Sequence, residues 1–431
     1  MPTSFPEILK KYKDAVAYVE SFSNTSMRKN VGSSKRDPGF YLQRTRDFLA
    51  RIGNPQSDLR VIHITGTAGK GSVSNGIHES LVRAGRNCGL FTSPFVTTPI
   101  EEIKVNDRYI SPEDFARIVE SLKPYIAEAA TSELGAPSSF EIFLAVAFVY
   151  FKQQKCAWAV LEVGLGGRYD ATNIVTKPVV TAITMIDYDH TEILGNTLGE
   201  IAFDKAGIVK KNSQFYTSEQ RPSLRRLFKK ICSEQGAEYH AIAHQSDYRE
   251  YNRALVTAVC TDPAVGLTDV QVREGNAAAR LPARFEIVAG NPLTIVDGAH
   301  NRSKILSTMH NVSRIEYKKL IAIVGISNTK KDTQAILEPV SKEADVVIVT
   351  SFGSGERVSV HPNAIVPLVD KYKKSGAQVL IAADPKSALA LARKAASAED
   401  CILITGSFFL AGLIRQEWFS EEYILKNRTS F

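Results

Sequence analysis

Residues Gly66, Thr67, Ala68, Gly69, Lys70, Gly71 and Ser72 lie between a run of strand formers (VIHIT, 61–65) and a helical pattern over 72–84. A loop so placed aims its backbone N–H groups and the positive end of the helix dipole at the space in front, which suits an anion. Its glycines would let phosphate oxygens approach the backbone. The Lys70 ammonium would neutralise β/γ charge, and the Ser72 hydroxyl could ligate Mg²⁺. The spacing is not that of the usual phosphate loop: only Thr67 and Ala68 separate the first glycines, and Gly71 stands between Lys70 and Ser72. Glu162 ends the strand candidate 158–163, where open α/β sheets present ligand groups and where a carboxylate suits Mg²⁺. Taken alone, Lys205 on the helical stretch 197–209 reads as a solvated lysine, and His190 after Asp189 reads as a turn or capping residue.

The elements that must position these groups are short apolar strands alternating with helical patterns, as in parallel sheets with crossover helices. Strand candidates fall at 61–65, 88–92, 158–163 and 178–186. The rhythm restarts at 293–296, 320–324, 345–349, 379–382 and 401–405. A chain of 431 residues exceeds one ordinary core. The Gly, Asn and Pro cluster at 289–292 suggests the join, giving an ATP-binding domain over 1–290 and a C-terminal domain over 291–431. Hydrophobic residues at 44% and charged residues at 23% fit a soluble globular protein. No apolar run approaches the roughly 20 residues of a membrane span. The N-terminal stretch reads as an amphipathic helix without a signal-peptide core. Five cysteines without a CxxC pair argue against a disulfide or zinc framework and for a reducing cytoplasm. The charge of +7 favours anionic ligands, but its dispersal gives no nucleic-acid footprint.

The variant loop GTxGKGS resembles the ATP loop of the Mur ligase superfamily, in particular the folylpolyglutamate synthase and dihydrofolate synthase family. The resemblance extends, in the family's order, through RIGNPQ (51–56), TSP (92–94), Phe140 and Glu141, LEVGLGGRYDATN (161–173), DHTEILG (189–195), KAGI (205–208), DGAHN (297–301) and TGS (405–407). It implies an α/β fold: an N-terminal P-loop-type ATPase domain with a mostly parallel sheet, a smaller C-terminal Rossmann-like domain, and an active site in the cleft between them. The implied reaction is ATP-dependent ligation of L-glutamate to a folate-like carboxylate, dihydropteroate or tetrahydrofolate polyglutamate, through an acyl phosphate.

In that resemblance the loop from Gly66 to Ser72 holds ATP, with Asn252 at adenine, Arg284 at the phosphates and Asp297 at the ribose end. One or two Mg²⁺ ions sit on Ser72, Glu162, His190 and a carbamylated Lys205, with room for a monovalent cation. Lys70, Lys205 and His300 are catalytic. Phe95, Glu101, Phe140, Glu141, His300, Ser327 and Ser407 line the substrates, and the enzyme is a cytoplasmic monomer.

Departures from the family pattern are Ala68 for asparagine, Phe95 for histidine, Glu102 for arginine and Ala283 for glycine, with a short stretch at 235–252. The changes at Phe95 and Glu102 touch the acyl-substrate loop, so the same machinery acting on a different carboxylate is an alternative reading. A P-loop switch would want Ser or Thr directly after Lys70 and a water-positioning residue, and leaves DGAHN unexplained. Retention of Lys70, Ser72, Glu162, His190 and Lys205 together argues against an inactive scaffold.

Overall fold

The computed structural model describes residues 4–23, 39–328, 333–354 and 357–431. Eight strands form the sheet of the first unit: β1 (Arg60–Thr65), β2 (Cys88–Phe91), β3 (Ile103–Val105), β4 (Arg108–Tyr109), β5 (Trp158–Glu162), β6 (Val180–Ile183), β7 (Gln214–Thr217) and β8 (Glu238–Ala241). Their spatial order is β4-β3-β2-β5-β1-β6-β7-β8. All neighbours from β2 to β8 run parallel, and β3 and β4 add an antiparallel edge. The central strands are buried along almost their whole length, as expected of a parallel sheet covered on both faces.

Strand alternation sorts β1 into two faces. Ile62 and Ile64 enter a core with Val73, Ile77 and Leu81 of the helix Lys70–Arg83 and Leu255, Val256 and Val259 of the helix Tyr248–Thr261. His63 and Thr65 face the other way: His63 Nε2 lies 2.8 Å from Thr172 Oγ1, and the Thr65 hydroxyl donates to the Gly166 carbonyl at 2.6 Å. Burial, with Lys210 adding to it, pushes His63 down to about 3, so the ring is neutral. A second core, around Ile183, Ile201, Phe215 and Phe228, covers β6 and β7. The strand candidates at 61–65, 88–92, 158–163 and 178–186 are β1, β2, β5 and β6, and the helix after the loop begins at Lys70 rather than Ser72.

The second unit carries β9 (Glu286–Gly290), β10 (Leu293–Val296), β11 (Leu320–Val324), β12 (Val346–Thr350), the small hairpin β13 (Gly353–Ser354) and β14 (Arg357–Val358), β15 (Gln378–Ala382) and β16 (Cys401–Thr405). The sheet order is β15-β12-β11-β16-β10-β9, parallel except for β9 against β10. Apolar cores cover both faces. All five strands expected from 293 onward are present.

The expected join at 290/291 does not coincide with the division between units. The first unit comprises the chain to Phe95, Pro99–Ala279 and Asn427–Thr429. The second comprises Val96–Thr98, Arg280–Lys426 and Ser430–Phe431. Residues 289–292 are the end of β9 and the Asn291-Pro292 turn of the β9/β10 hairpin: the Gly and Pro there mark a reversal inside a sheet. Arg415 anchors β9 with a buried bidentate ion pair to Glu286, at 2.7 and 2.8 Å.

All five cysteines are free and buried, and among the described residues no helix is long and apolar enough to cross a membrane.

Candidate active site

The loop after β1 is fixed by the segment after β6. Thr67 N–H donates to the Met185 carbonyl at 2.9 Å, its hydroxyl donates to the Asp187 carbonyl at 3.0 Å, and Asp187 N–H donates back to that hydroxyl at 3.0 Å. The Thr184 hydroxyl donates to the Ala68 carbonyl at 2.7 Å. Ala68 is thus held through its backbone, which a missing side-chain amide does not alter.

Two glycines make the approach possible. Gly66 has φ +145, and a Cβ there would stand 1.7 Å from Thr184 Oγ1. Gly69 caps the helix with φ +88, and a Cβ there would stand 2.5 Å from Asn252 Oδ1. Asn252 therefore sits against the loop. Gly71 and Ser72 lie in the first turn of the helix, where unpaired N–H groups are available to an anion.

Lys70 Nζ donates to the Gly66 carbonyl at 3.1 Å, and Lys205 Nζ donates to the same oxygen at 3.0 Å. Lys205 is 4% exposed. Burial and then the Lys70 charge push its amine down to about 7, against the opposing pull of Asp204, Asp189 and Asp170. Its place is set from two sides. The helix Leu198–Lys205 starts with a capping box between Thr197 and Glu200 and passes into the turn Ala206–Ile208. The loop after β5 presses on the end of that helix: a Cβ on Gly167 would stand 2.5 Å from the Lys205 carbonyl oxygen, and Arg168 N–H donates to the Asp204 carbonyl at 2.9 Å. Asp170 closes that loop by accepting from Leu165 N–H at 3.0 Å and Thr172 N–H at 2.9 Å. Neither Asp170 nor Thr184 was singled out from sequence. Asp170 lay in plain view inside LGGRYDATN, whereas Thr184 gave no local signal.

Glu162 ends β5, is 4% exposed and pairs in register with Ile64 of the neighbouring β1. Phe140 covers the next turn, its ring 2.8 Å from where a Cβ on Gly164 would stand. His190 has φ 51 and caps the short helix Thr191–Leu194, with Asp189 Oδ1 at 3.8 Å from Nε2 and Glu192 Oε1 at 3.7 Å from Nδ1. Among the described residues no three His, Cys, Asp or Glu side chains converge to hold a metal by themselves.

Not every expected substrate residue faces open space. Glu141 is 3% exposed and fully engaged: it pairs with Arg44 at 2.6 Å and accepts from the Thr45 hydroxyl and Ser138 N–H, both at 2.6 Å. Its geometry is that of a capping and core-bracing residue, not a free ligand. Glu101 is buried as well, and Glu102 Oε1 accepts from Phe95 N–H at 3.1 Å, closing the turn that carries Phe95.

In the second unit, His300, Ser327 and Ser407 follow β10, β11 and β16, three strands adjacent in the sheet with β16 at their centre. The His300 ring holds the Gly298 carbonyl at 2.7 Å through Nδ1, leaving Nε2 to accept from Lys304 Nζ at 3.1 Å. Ser407 caps the helix Phe408–Arg415, and Ser327 bridges to Ser359. Asp297 is committed to Phe285 N–H at 2.7 Å, Ala299 N–H at 2.9 Å and the Thr308 hydroxyl at 2.9 Å. The Arg284 guanidinium stacks on Phe408 at 3.9 Å.

A loop of this form feeding a parallel sheet, with a second sheet unit after it, defines a protein of the Mur ligase class. Residues 283–408 match the family described as Mur ligase, glutamate ligase domain. The chain is 30% identical over 413 residues to the probable dihydrofolate synthetase of Schizosaccharomyces pombe, covering 86% of this chain and 96% of that protein. It is 28% identical over 412 residues to the dihydrofolate synthase/folylpolyglutamate synthase of Bacillus subtilis, covering 87% and 94%. A solved bifunctional folylpolyglutamate synthase/dihydrofolate synthase with Mn, AMPPNP and L-glutamate bound superposes with a TM-score of 0.74 at 26% identity, covering 87% of this chain and 93% of that one. The chain belongs to the folylpolyglutamate synthase and dihydrofolate synthase family.

The clamp on Lys205 has a direct readout. Competitive acylation followed by peptide mass spectrometry should show the Lys205 amine titrating near 7 rather than at its ordinary 10.5. Gly167→Ala, which needs the Lys205 backbone to move, should return it toward the ordinary value, whereas Gly199→Ala, facing nearly open space, should not. An unchanged profile in Gly167→Ala contradicts the clamp.

Proposed function

We infer that the chain joins L-glutamate to a folate-type carboxylate, with ATP driving the reaction through an acyl phosphate and ADP and phosphate released. The observation that carries this reading is the loop Gly66 to Ser72 with Lys70 and the buried Lys205 gathered on one of its carbonyls, in a chain of this family. A carboxylate is a poor electrophile at neutral pH. Its oxygen attacks the γ-phosphorus, ADP departs, and the resulting acyl phosphate is attacked at carbon by the glutamate amine. The tetrahedral intermediate then expels phosphate. Loop N–H groups and Lys70 hold the phosphates and oppose the charge that develops during transfer. Asn252, against Gly69, reads adenine, while Arg284 and Asp297 serve the phosphate and ribose ends. His300, with the ring fixed through Nδ1, exchanges its Lys304 hydrogen bond at Nε2 for the proton of the incoming ammonium, and Ser327 and Ser407 line the glutamate side.

Magnesium commonly takes one or two protein carboxylates and completes its shell with phosphate and water. The donor set Glu162, Ser72 and His190 suits an ion shared with a nucleotide. When bound there, the ion would neutralise phosphate charge. Lys205 is suited to carbamylation because an amine near 7 is substantially neutral at physiological pH. Its nitrogen bonds to the carbon of carbon dioxide and a proton leaves, exchanging a cation for an anionic oxygen donor. A monovalent cation, a monomeric state and a cytoplasmic setting, in keeping with five unpaired buried thiols, belong to the same reading. Phe140 and the Phe95 turn closed by Glu102 border the acyl substrate.

Phosphate release with ATP and Mg²⁺, measured across dihydropteroate, tetrahydrofolate and unrelated carboxylates with and without L-glutamate, should require both glutamate and a pterin acid. Turnover with another acid and with neither pterin would defeat the folate assignment, and glutamate-independent hydrolysis would defeat the ligase. For the carbamate, Lys205→Ala should lose turnover and regain part of it in acetate or formate. Full activity without rescue would rule the carbamate out.

A further inference from the structure

Glu219 and Arg221 take no part in the reaction as described, yet they act on the segment that holds the phosphate loop. The Glu219 carboxylate is completely buried. Its Oε2 accepts from Ile186 N–H at 3.0 Å, and the Arg221 guanidinium grips it as a fork, Nε to Oε1 at 2.7 Å and Nη2 to Oε2 at 2.6 Å. Arg221 Nη2 also donates to the Ile186 carbonyl. One ion pair thus holds both backbone groups of Ile186. The residues on either side, Met185 and Asp187, are those that bind Thr67.

We propose that Glu219 and Arg221 are a positioning pair for nucleotide binding, fixing the 185–187 segment against which the phosphate loop is docked. The inference rests on the ATP-dependent reading above.

Part of the arrangement would serve any helix start: Arg221 precedes the helix Pro222–Gln235, and Glu219 Oε1 accepts from Gln220 and Arg221 N–H at 3.0 and 2.9 Å. A helix start does not need the bonds to Ile186, which lies 33 residues before Glu219. Those bonds are charge-assisted, and charge-assisted bonds are the strong and geometrically specific kind. Arg225 adds to the rigidity by donating from Nε to the Glu219 carbonyl at 2.6 Å. The consequence is directional. Loosening the pair frees the Thr67 side of the loop and leaves the second unit's own hydrogen bonds around His300 and Ser407 as they are.

Two variants separate positioning from mere stability. Arg221→Lys keeps the charge but cannot fork, so one ammonium must choose between Glu219 and Ile186. Glu219→Gln keeps an acceptor for Ile186 N–H but loses the ion pair. Binding of Mg²⁺·ADP by calorimetry and KM for ATP and for L-glutamate are measured on wild type and both variants. We expect weaker ADP binding and a higher KM for ATP, each by about tenfold, with KM for L-glutamate within about twofold of wild type. ADP affinity within about twofold of wild type in Arg221→Lys, whatever happens to its melting temperature, overturns the proposal, as does a parallel loss of glutamate affinity. If Glu219→Gln does not fold, Arg221→Lys decides alone. Wild-type protein that binds no nucleotide would instead defeat the ATP-dependent reading itself.

Discussion

Two lysine side chains converge on the Gly66 carbonyl, Lys70 at 3.1 Å and Lys205 at 3.0 Å. One carbonyl dipole in a buried setting cannot compensate two full positive charges, and desolvation falls hardest on the more deeply buried amine. The proton on Lys205 is the part that gives way, with its pKa at about 7. Three segments of the first unit serve this convergence. β1 delivers Gly66, the segment after β6 pins the loop from Thr184 to Asp187, and the turn after β5 presses Lys205 into place through Gly167. A buried, weakly protonated amine beside a phosphate loop is costly to folding, which is the pattern expected where local chemistry outweighs stability.

The parts legible in the sequence are those written in consecutive residues. The loop, the strand before it and the helix after it lie within a few residues of one another, and the apolar runs of the second unit sit where its five principal parallel strands are. The place of Glu162 was legible because it closes the apolar run that forms β5, at the carboxyl end of a parallel strand. The rest depends on contacts between distant segments. Glu141 stands in a family-like string, but its engagement with Arg44 comes from a helix about a hundred residues earlier, with a separation of 97. The pairing of Thr184 with Ala68 spans 116 residues and has no local periodicity. The join was misplaced for a related reason: Gly and Pro at 289–292 signal a reversal of the chain, and only pairing of β9 with β10 tells a hairpin turn from a linker.

The departures from the family pattern divide by what holds each position. Ala68 is anchored by its carbonyl, so the change from asparagine leaves the loop backbone in place. Ala283 takes a positive φ of 51 without being glycine, and its N–H donates to Glu286 Oε2 at 2.8 Å, a bond that helps hold this conformation. Glu102, where the resembled pattern carries arginine, accepts from Phe95 N–H at 3.1 Å, so this change is built into the turn that carries Phe95. Function follows the site more than the fold, and two of the four changed positions, Phe95 and Glu102, meet in one turn.

Isotope transfer tests activation of a carboxylate by ATP at this loop most directly. With the acceptor carboxylate labelled with ¹⁸O and turnover run with L-glutamate, attack on the γ-phosphorus followed by amine displacement carries one labelled oxygen from the acid into each phosphate released. Phosphate bearing an oxygen from solvent water and none from the acid would contradict the acyl phosphate, and with it the role assigned to the loop.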